Sequence, residues 1–331
     1  MRIITIITAI AVGILFCIPS PSGAMMASQP SQSTVLELGN QQFHLFGGVS
    51  LAVESGEMTY AIQGPEDGGW KSELIWPLDS ISFVGGQLSA NFLNRWQVNA
   101  GVWKSIADKA GSLKDSDWFY SESPWLYVLY GDDKAVYGEF DTTVDAVQFD
   151  LNVRYDVVKG TTFDFGPLLG YAYKQWKWTS GEGYQTSPFT DFNVGRVTRT
   201  GIEYTEKIKI PYLGVGFSFL PQNSAFGLNL YALYSAIAQC DDVDDHILRY
   251  KESTGDTKGT FFSVGGDVLW KFKQPWSLSG KINYARYDLE GTQQQYFYGG
   301  KNPPPGTRFD DIDMTVTGRQ LSFGLMIGYE L

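Results

Sequence analysis

The chain has little cysteine, little histidine and, beyond its first residues, no long apolar run. Two cysteines occur in 331 residues. Cys17 falls in the leading apolar segment, so Cys240 alone remains in an exported chain and an intrachain disulfide is excluded. Nothing after that leader approaches the ~20 apolar residues a membrane-crossing helix requires. Two histidines, His44 and His246, leave a zinc site without the second imidazole it usually needs, so no metal is expected. Basic charge is also short. Lys and Arg number 25 against 36 Asp and Glu, and with Arg2 lost alongside the leader the balance is 24 against 36, a net charge of −12. That excess excludes nucleic acid as the expected partner and favours a cationic ligand or substrate. It is equally what acidic loops give a surface protein that must stay soluble.

What is present points to export and to strands. Met1-Arg2, an apolar run from Ile3 to Ile18 and the small residues Ser22-Gly23-Ala24 form a secretory signal peptide over 1–24. Cleavage after Ala27 fits as well as cleavage after Ala24. Phe16 before Cys17 is a poor context for a lipid-anchored cysteine. The remainder, 25–331, reads as one domain. Of all residues 43% are hydrophobic and 15% aromatic, with 37 glycines. Together with an export signal and little helical periodicity, these predict an all-β fold: a ten-stranded antiparallel transmembrane β-barrel in the outer membrane.

Alternation carries that prediction along the chain. Val147, Phe149, Leu151, Val153, Tyr155 and Val157 share one face, while Gln148, Asp150, Asn152, Arg154 and Asp156 share the other. Strands are expected at 42–54, 71–85, 88–103, 141–157, 162–178, 202–219, 225–239, 260–272, 277–289 and 315–331. Four short connections carry turn residues: Gly85-Gly86-Gln87, Val158-Lys159-Gly160-Thr161, Leu220-Pro221-Gln222-Asn223-Ser224 and Lys273-Gln274-Pro275-Trp276. They alternate with five long polar ones, the pattern of a barrel with both termini in the periplasm and long loops outside. Trp76, Trp96, Trp103, Trp176, Trp178, Trp270 and Trp276 are placed in its interfacial girdles. Ten strands leave a lumen that side chains fill, which disfavours a diffusion pore.

Chemistry concentrates in two short segments. In Cys240-Asp241-Asp242-Val243-Asp244-Asp245-His246 an extended backbone sends Asp242, Asp244 and His246 to one face. A carboxylate beside an imidazole orients the ring, which suits a general base near neutral pH. Asp115-Ser116-Asp117-Trp118 offers a second pair with the same spacing. Both fall on the long-loop side, in the second loop and at the start of the fourth, on strands four apart in a ring of ten. Facing pairs across the mouth would hold a water for His246 to deprotonate, with Asp115 helping to hold the water and Asp117 stabilising charge or sharing a proton as the intermediate forms. Solvated or loosely calcium-binding loops remain the plainer explanation of such pairs. Cys240 is expected to be a packed small residue.

The chain resembles the omptins, ten-stranded outer-membrane endopeptidases of Gram-negative bacteria. The matches are Asp115-Ser116-Asp117-Trp118, Asp242 with Asp244-Asp245-His246, and Lys207-Ile208-Lys209-Ile210-Pro211-Tyr212-Leu213-Gly214. Gly56-Glu57-Met58-Thr59-Tyr60 and Glu66-Asp67-Gly68-Gly69 extend them. The resemblance implies catalysis by Asp115, Asp117, Asp244 and His246, with Glu57 and Asp242 flooring a pocket for Arg or Lys beside the scissile bond. It also implies lipopolysaccharide as an activating lipid, with no other cofactor. Tyr171 is retained at a position for that lipid, Lys207 stands where an arginine is expected, and Lys258 lies close to an expected lysine. Tyr173 and Gln175 stand where an acid and an arginine are expected, leaving Lys174 and Lys177 as substitute cations.

The expected function is therefore a monomeric surface endopeptidase cutting basic peptides or proteins, its site facing outward from the cell. The alternative is a non-catalytic barrel in adhesion or in cation or host-protein binding.

Overall fold

Residues 147–155 alternate in the structure as their sequence predicts: Gln148, Asp150, Asn152 and Arg154 are buried, and Leu151 between them is exposed. The computed structural model describes residues 36–38, 41–64, 70–106, 109–119, 134–188, 195–221, 223–301 and 303–330. The expected signal peptide and the Glu66–Gly69 motif lie outside them.

Strands in chain order are β1 (Leu36–Leu38), β2 (Gln41–Gln63), β3 (Trp70–Phe92), β4 (Trp96–Ser105), β5 (Lys109–Phe119), β6 (Val136–Tyr155) and β7 (Val158–Lys159). They continue as β8 (Phe163–Thr186), β9 (Gly195–Val197), β10 (Glu203–Phe219), β11 (Phe226–His246), β12 (Lys251–Lys273), β13 (Trp276–Phe297) and β14 (Arg308–Glu330). Each long strand pairs antiparallel with its sequence neighbour, and β14 pairs with β2, which closes the sheet and removes its edges. β4 and β5 lie end to end in one place between β3 and β6. Among the described residues the ring thus has ten staves, as expected, with β1, β7 and β9 as short additions.

Two expectations about connections are corrected. Gly85-Gly86-Gln87 is no turn, because β3 runs through it. A Cβ at Gly85 would lie 2.0 Å from Trp103 Cδ1, and one at Gly101 would lie 2.1 Å from Trp103 Cη2, so these glycines make room for a buried indole. The turn falls at 93–95, where Leu93 and Asn94 take positive φ. The fourth long loop is also absent. β11 and β12 are joined by one turn of 3-10 helix, Ile247–Arg249, and by Tyr250 in the left-handed conformation.

The strands are far longer than a bilayer needs. β11 has 21 residues, about 70 Å at ~3.3 Å per residue, whereas ~9–11 residues cross a membrane. Near the short-turn rim the outer face is apolar, with Leu51, Leu88, Leu151, Leu169, Leu213, Phe262, Phe323 and Ile327 exposed. Aromatic pairs edge that rim, Trp96 with Tyr155 at 4.8 Å and Trp276 with Tyr329 at 4.9 Å. Farther along, the outer face turns charged at Asp145, Lys177, Lys207, Lys258, Glu290 and Arg319. The apolar band is the membrane-spanning part, and everything beyond it projects into water.

Inside, the membrane-level lumen is filled by hydrogen-bonded polar side chains. Ser89 donates to Asn99 at 2.7 Å, Asn99 to Asn152 at 2.8 Å, and Tyr212 to Asp150 at 2.7 Å. An aromatic layer lies above. Trp76, Trp103, Trp176 and Trp178 are fully buried in the lumen, which corrects their placement in the girdles. Trp96, Trp270 and Trp276 are exposed as expected.

Candidate active site

Position in β11 determines which residues enter the cleft. From Gly227 to Ser235 the odd-numbered residues face inward, and from Ala238 to His246 the even-numbered ones do. The change occurs at a bulge between Ser235 and Ala238, where β11 carries one residue more than β12. Ile237 N–H donates to Ser235 Oγ at 3.2 Å within it. Past the bulge, Cys240, Asp242, Asp244 and His246 all point inward and are all buried. These acids lie on a strand, not at a loop entrance.

His246 Nε2 lies 2.9 Å from Asp244 Oδ2. An ionised carboxylate only accepts, so the ring donates Nε2–H and keeps Nδ1 free as a base. Burial pushes the His246 imidazole below its ordinary value; Asp244 opposes that, and Lys251 and Arg249 add to it. Burial alone would raise Asp244, but His246, Lys251 and Arg249 together hold its carboxyl below the usual range. At neutral pH the dyad is a carboxylate beside a neutral imidazole.

The facing wall is β5. Its own bulge, at Lys109 and Gly111, precedes Leu113, Asp115 and Asp117, which turn inward and are buried. Gly111 adopts φ 102° there, a conformation that favours glycine. Burial raises Asp115 to about 7, Asp117 and Asp244 adding to the rise while Arg249 and Lys251 oppose it. Asp115 therefore feels charges on the opposite wall, and one contact joins the walls directly: Arg249 Nη2 donates to Asp117 Oδ2 at 3.3 Å. β5 and β11 are four staves apart, as the sequence predicted, but Asp115 and Asp117 belong to a strand and not to the second loop. Next to them Lys134 Nζ donates to Ser116 Oγ at 2.9 Å, and Lys71 lies 4.7 Å from the centre of the Trp118 ring.

Below the dyad, Asp242 sits opposite Glu206 on β10 and opposite Gly255 on β12. The Tyr204 hydroxyl donates to Asp242 Oδ2 at 3.3 Å. Tyr204 stacks on Trp76 at 5.4 Å and meets Tyr60 edge-on at 5.6 Å.

A strand-built cleft of this kind, above a closed barrel, can be set beside known proteins. A family profile described as Omptin family matches residues 44–303. The chain belongs to the Omptin family. It is 25% identical over 247 residues to the plasminogen activator of Yersinia pestis, spanning 72% of this chain and 73% of that one. It is 27% identical over 212 residues to the outer membrane protease OmpP of Escherichia coli, spanning 61% of this chain and 64%, just under two thirds, of the relative. The crystal structure of the outer membrane protease OmpT from Escherichia coli superposes with a TM-score of 0.73 at 19% identity, covering 87% of this chain and 97% of that one. The barrel fold, the outer-membrane location and a protease's kinship follow from these relationships.

Within this omptin the structure brings Asp115, Asp117, Asp242, Asp244 and His246 to one cleft and leaves Glu57 out of it. In β2, Met58, Tyr60 and Ile62 face inward, so alternation turns Glu57 outward, exposed, opposite Arg319 of β14. Tyr171, Lys207 and Lys258 all lie exposed on the outer wall, on β8, β10 and β12. Lys177 is exposed there too, but Lys174 is not available to that wall. It is buried in the lumen, 3.7 Å from Glu54 and donating to Gln320 Oε1 at 2.5 Å. Cys240 is fully buried, the packed residue expected of it.

Residues that the sequence reading missed are Glu206, Arg249, Lys251, Tyr60 and Tyr204. Glu206 was within reach of pattern reading, since Ile208 and Ile210 share its inward face. Arg249 was not, because its reach across the mouth exists only in the folded ring.

Proposed function

We propose that this omptin is an endopeptidase of the cell surface that hydrolyses peptide bonds next to Arg or Lys. The observation that carries the reading is the Asp244–His246 pair at 2.9 Å, facing a buried Asp115–Asp117 pair whose second member is held by Arg249. His246 Nδ1 takes a proton from a water in the cleft, and the oxygen attacks the scissile carbonyl carbon. Asp244 stabilises the imidazolium that forms. Close carboxylates rarely ionise together, and Asp115, raised to about 7, holds the pair's shared proton. It donates a hydrogen bond to the developing oxyanion while Asp117 stays paired to Arg249. As the intermediate collapses, the carbon–nitrogen bond breaks and His246 returns its proton to the leaving amine.

The cleft opens away from the apolar band, which supports an outward-facing site, and closure of β14 on β2 supports a monomer. Tyr171, Lys207 and Lys258 are proposed to hold lipopolysaccharide phosphates against the outer wall, the lipid acting as activator. No other cofactor is required by this mechanism.

The test is cleavage of an Arg-Arg peptide by refolded protein, with and without lipopolysaccharide. His246→Ala should lower kcat by about 10²–10⁴-fold while the barrel keeps its heat-modifiable mobility. An inactive wild-type protein under both conditions would return the chain to the adhesive, non-catalytic reading.

A further inference from the structure

The floor of the cleft holds an acid that the dyad does not use. Even-numbered residues of β10 face the lumen, so Glu206 points inward between Tyr204 and Ile208. It is fully buried, and neither of its carboxylate oxygens has a hydrogen-bond partner among the described residues. Asp242 stands directly opposite across the β10–β11 ladder, buried as well, with Oδ1 also unpartnered. Directly opposed side chains have Cβ atoms ~4.5–5.5 Å apart, where like charges destabilise the strand pair. Lys174, whose charge reaches Glu206, is engaged by Glu54 and Gln320. Two buried acids without a countercharge of their own are a costly arrangement, and a cationic guest removes the cost.

We infer that Glu206 and Asp242 together grip the cationic head of a substrate's Arg or Lys side chain, Glu206 filling the specificity role expected of Glu57. This rests on the endopeptidase reading above. The rings of Tyr60, Trp76 and Tyr204 pack together beside Asp242 and offer apolar surface for the methylenes of such a side chain, which buries only its head among charges. Glu57 cannot contribute from the outer wall. Burial pushes Glu206 up to about 8, Asp242 adding to the rise and Lys174 opposing it. Glu206 is therefore largely protonated at neutral pH and gains negative charge as pH rises through 8. Discrimination for a cation over a neutral isostere must grow in the same direction.

The experiment compares two peptides identical except for Arg or citrulline beside the scissile bond, cleaved by full-length refolded protein with lipopolysaccharide. Wild type should prefer Arg, and the preference should increase from about pH 6 to about pH 9. Glu206→Gln should cut the Arg-to-citrulline ratio of kcat/KM by about tenfold or more through KM, and flatten the pH response. Glu57→Gln should stay within about twofold of wild type. A Glu206→Gln protein with wild-type preference and pH response overturns the assignment and leaves the peptidase standing. Wild-type cleavage indifferent to Arg or citrulline overturns the assignment and the basic preference together, and a wild type that cuts neither peptide overturns the endopeptidase reading itself. Competition by arginine amide against wild type tests the same floor without a variant, should Glu206→Gln fail to fold. Inhibition that does not tighten with rising pH overturns the proposal.

Discussion

Arg249, three residues past the dyad histidine, donates to Asp117 on the opposite wall at 3.3 Å. One guanidinium thus links the two halves of the cleft, and it bears on both titrations in it. It holds Asp115 down and adds to the lowering of His246.

Arg249→Gln should therefore move the whole pH profile in one direction. The proposed mechanism requires a neutral His246, which sets the acid limb, and a protonated Asp115, which sets the alkaline limb near 7. Removing the positive charge raises both groups, so both limbs of kcat/KM against pH should shift upward. Limbs that move apart or stay in place would refute these assignments.

The bulge at Ser235–Ala238 absorbs one extra residue in β11, and deleting Ile237 should leave the catalytic end facing inward. Without the extra residue, Ser235, Ala236 and Ala238 alternate regularly against Phe261, Thr260 and Gly259, so Asp242, Asp244 and His246 keep the inward face. Cleavage should survive the deletion, whereas inserting one alanine after Gln239 turns Asp244 and His246 outward and should lower it by about 10²–10⁴-fold. Ser235→Ala, which removes only the Ser235 Oγ to Ile237 N–H contact, should cost about 0.5–1.5 kcal/mol of stability, read from the melting of the heat-modifiable form.

Gly85→Ala should damage the barrel without touching the cleft. Its Cβ would meet Trp103 Cδ1 at 2.0 Å and the Val102 carbonyl oxygen at 2.4 Å, and Trp103 is fixed by donation to Ser50 Oγ at 2.7 Å. Overpacking of this kind costs about 1–3 kcal/mol or more. Thermal unfolding of the refolded barrel measures it. Were 85–87 a turn, alanine there would be nearly neutral.

The outer wall and the lumen give opposite expectations for two sets of lysines. On the lipid grip proposed above, Lys207→Gln with Lys258→Gln should raise the lipopolysaccharide concentration needed for half-activation about tenfold, each lost cation removing one proposed phosphate contact. Lys174→Met should leave that concentration unchanged, because Lys174 lies inside the barrel. Titration of activity with lipopolysaccharide checks both.

The strand pattern of this chain was legible because a barrel in lipid sorts residues by alternation alone. Val147–Val157 and Leu321–Tyr329 show the period without any tertiary information, and the stave count followed from it. Spacing likewise placed Asp242, Asp244 and His246 on one face, and Asp115 with Asp117 on another. Alternation fixes which residues share a face but not which face looks inward. The bulge in β11 shifts the inward face from odd- to even-numbered residues partway along the strand by absorbing one residue, with Ala236 and Ile237 both exposed. The same limit misplaced Trp76, Trp176 and Trp178, whose indoles fill the lumen, and Gly85, whose missing Cβ is a space for Trp103 and not a bend. The same limit hid which glutamate lies near Asp242: Met58 faces inward and turns Glu57 out, while the β10–β11 register, visible in neither strand alone, sets Glu206 opposite Asp242.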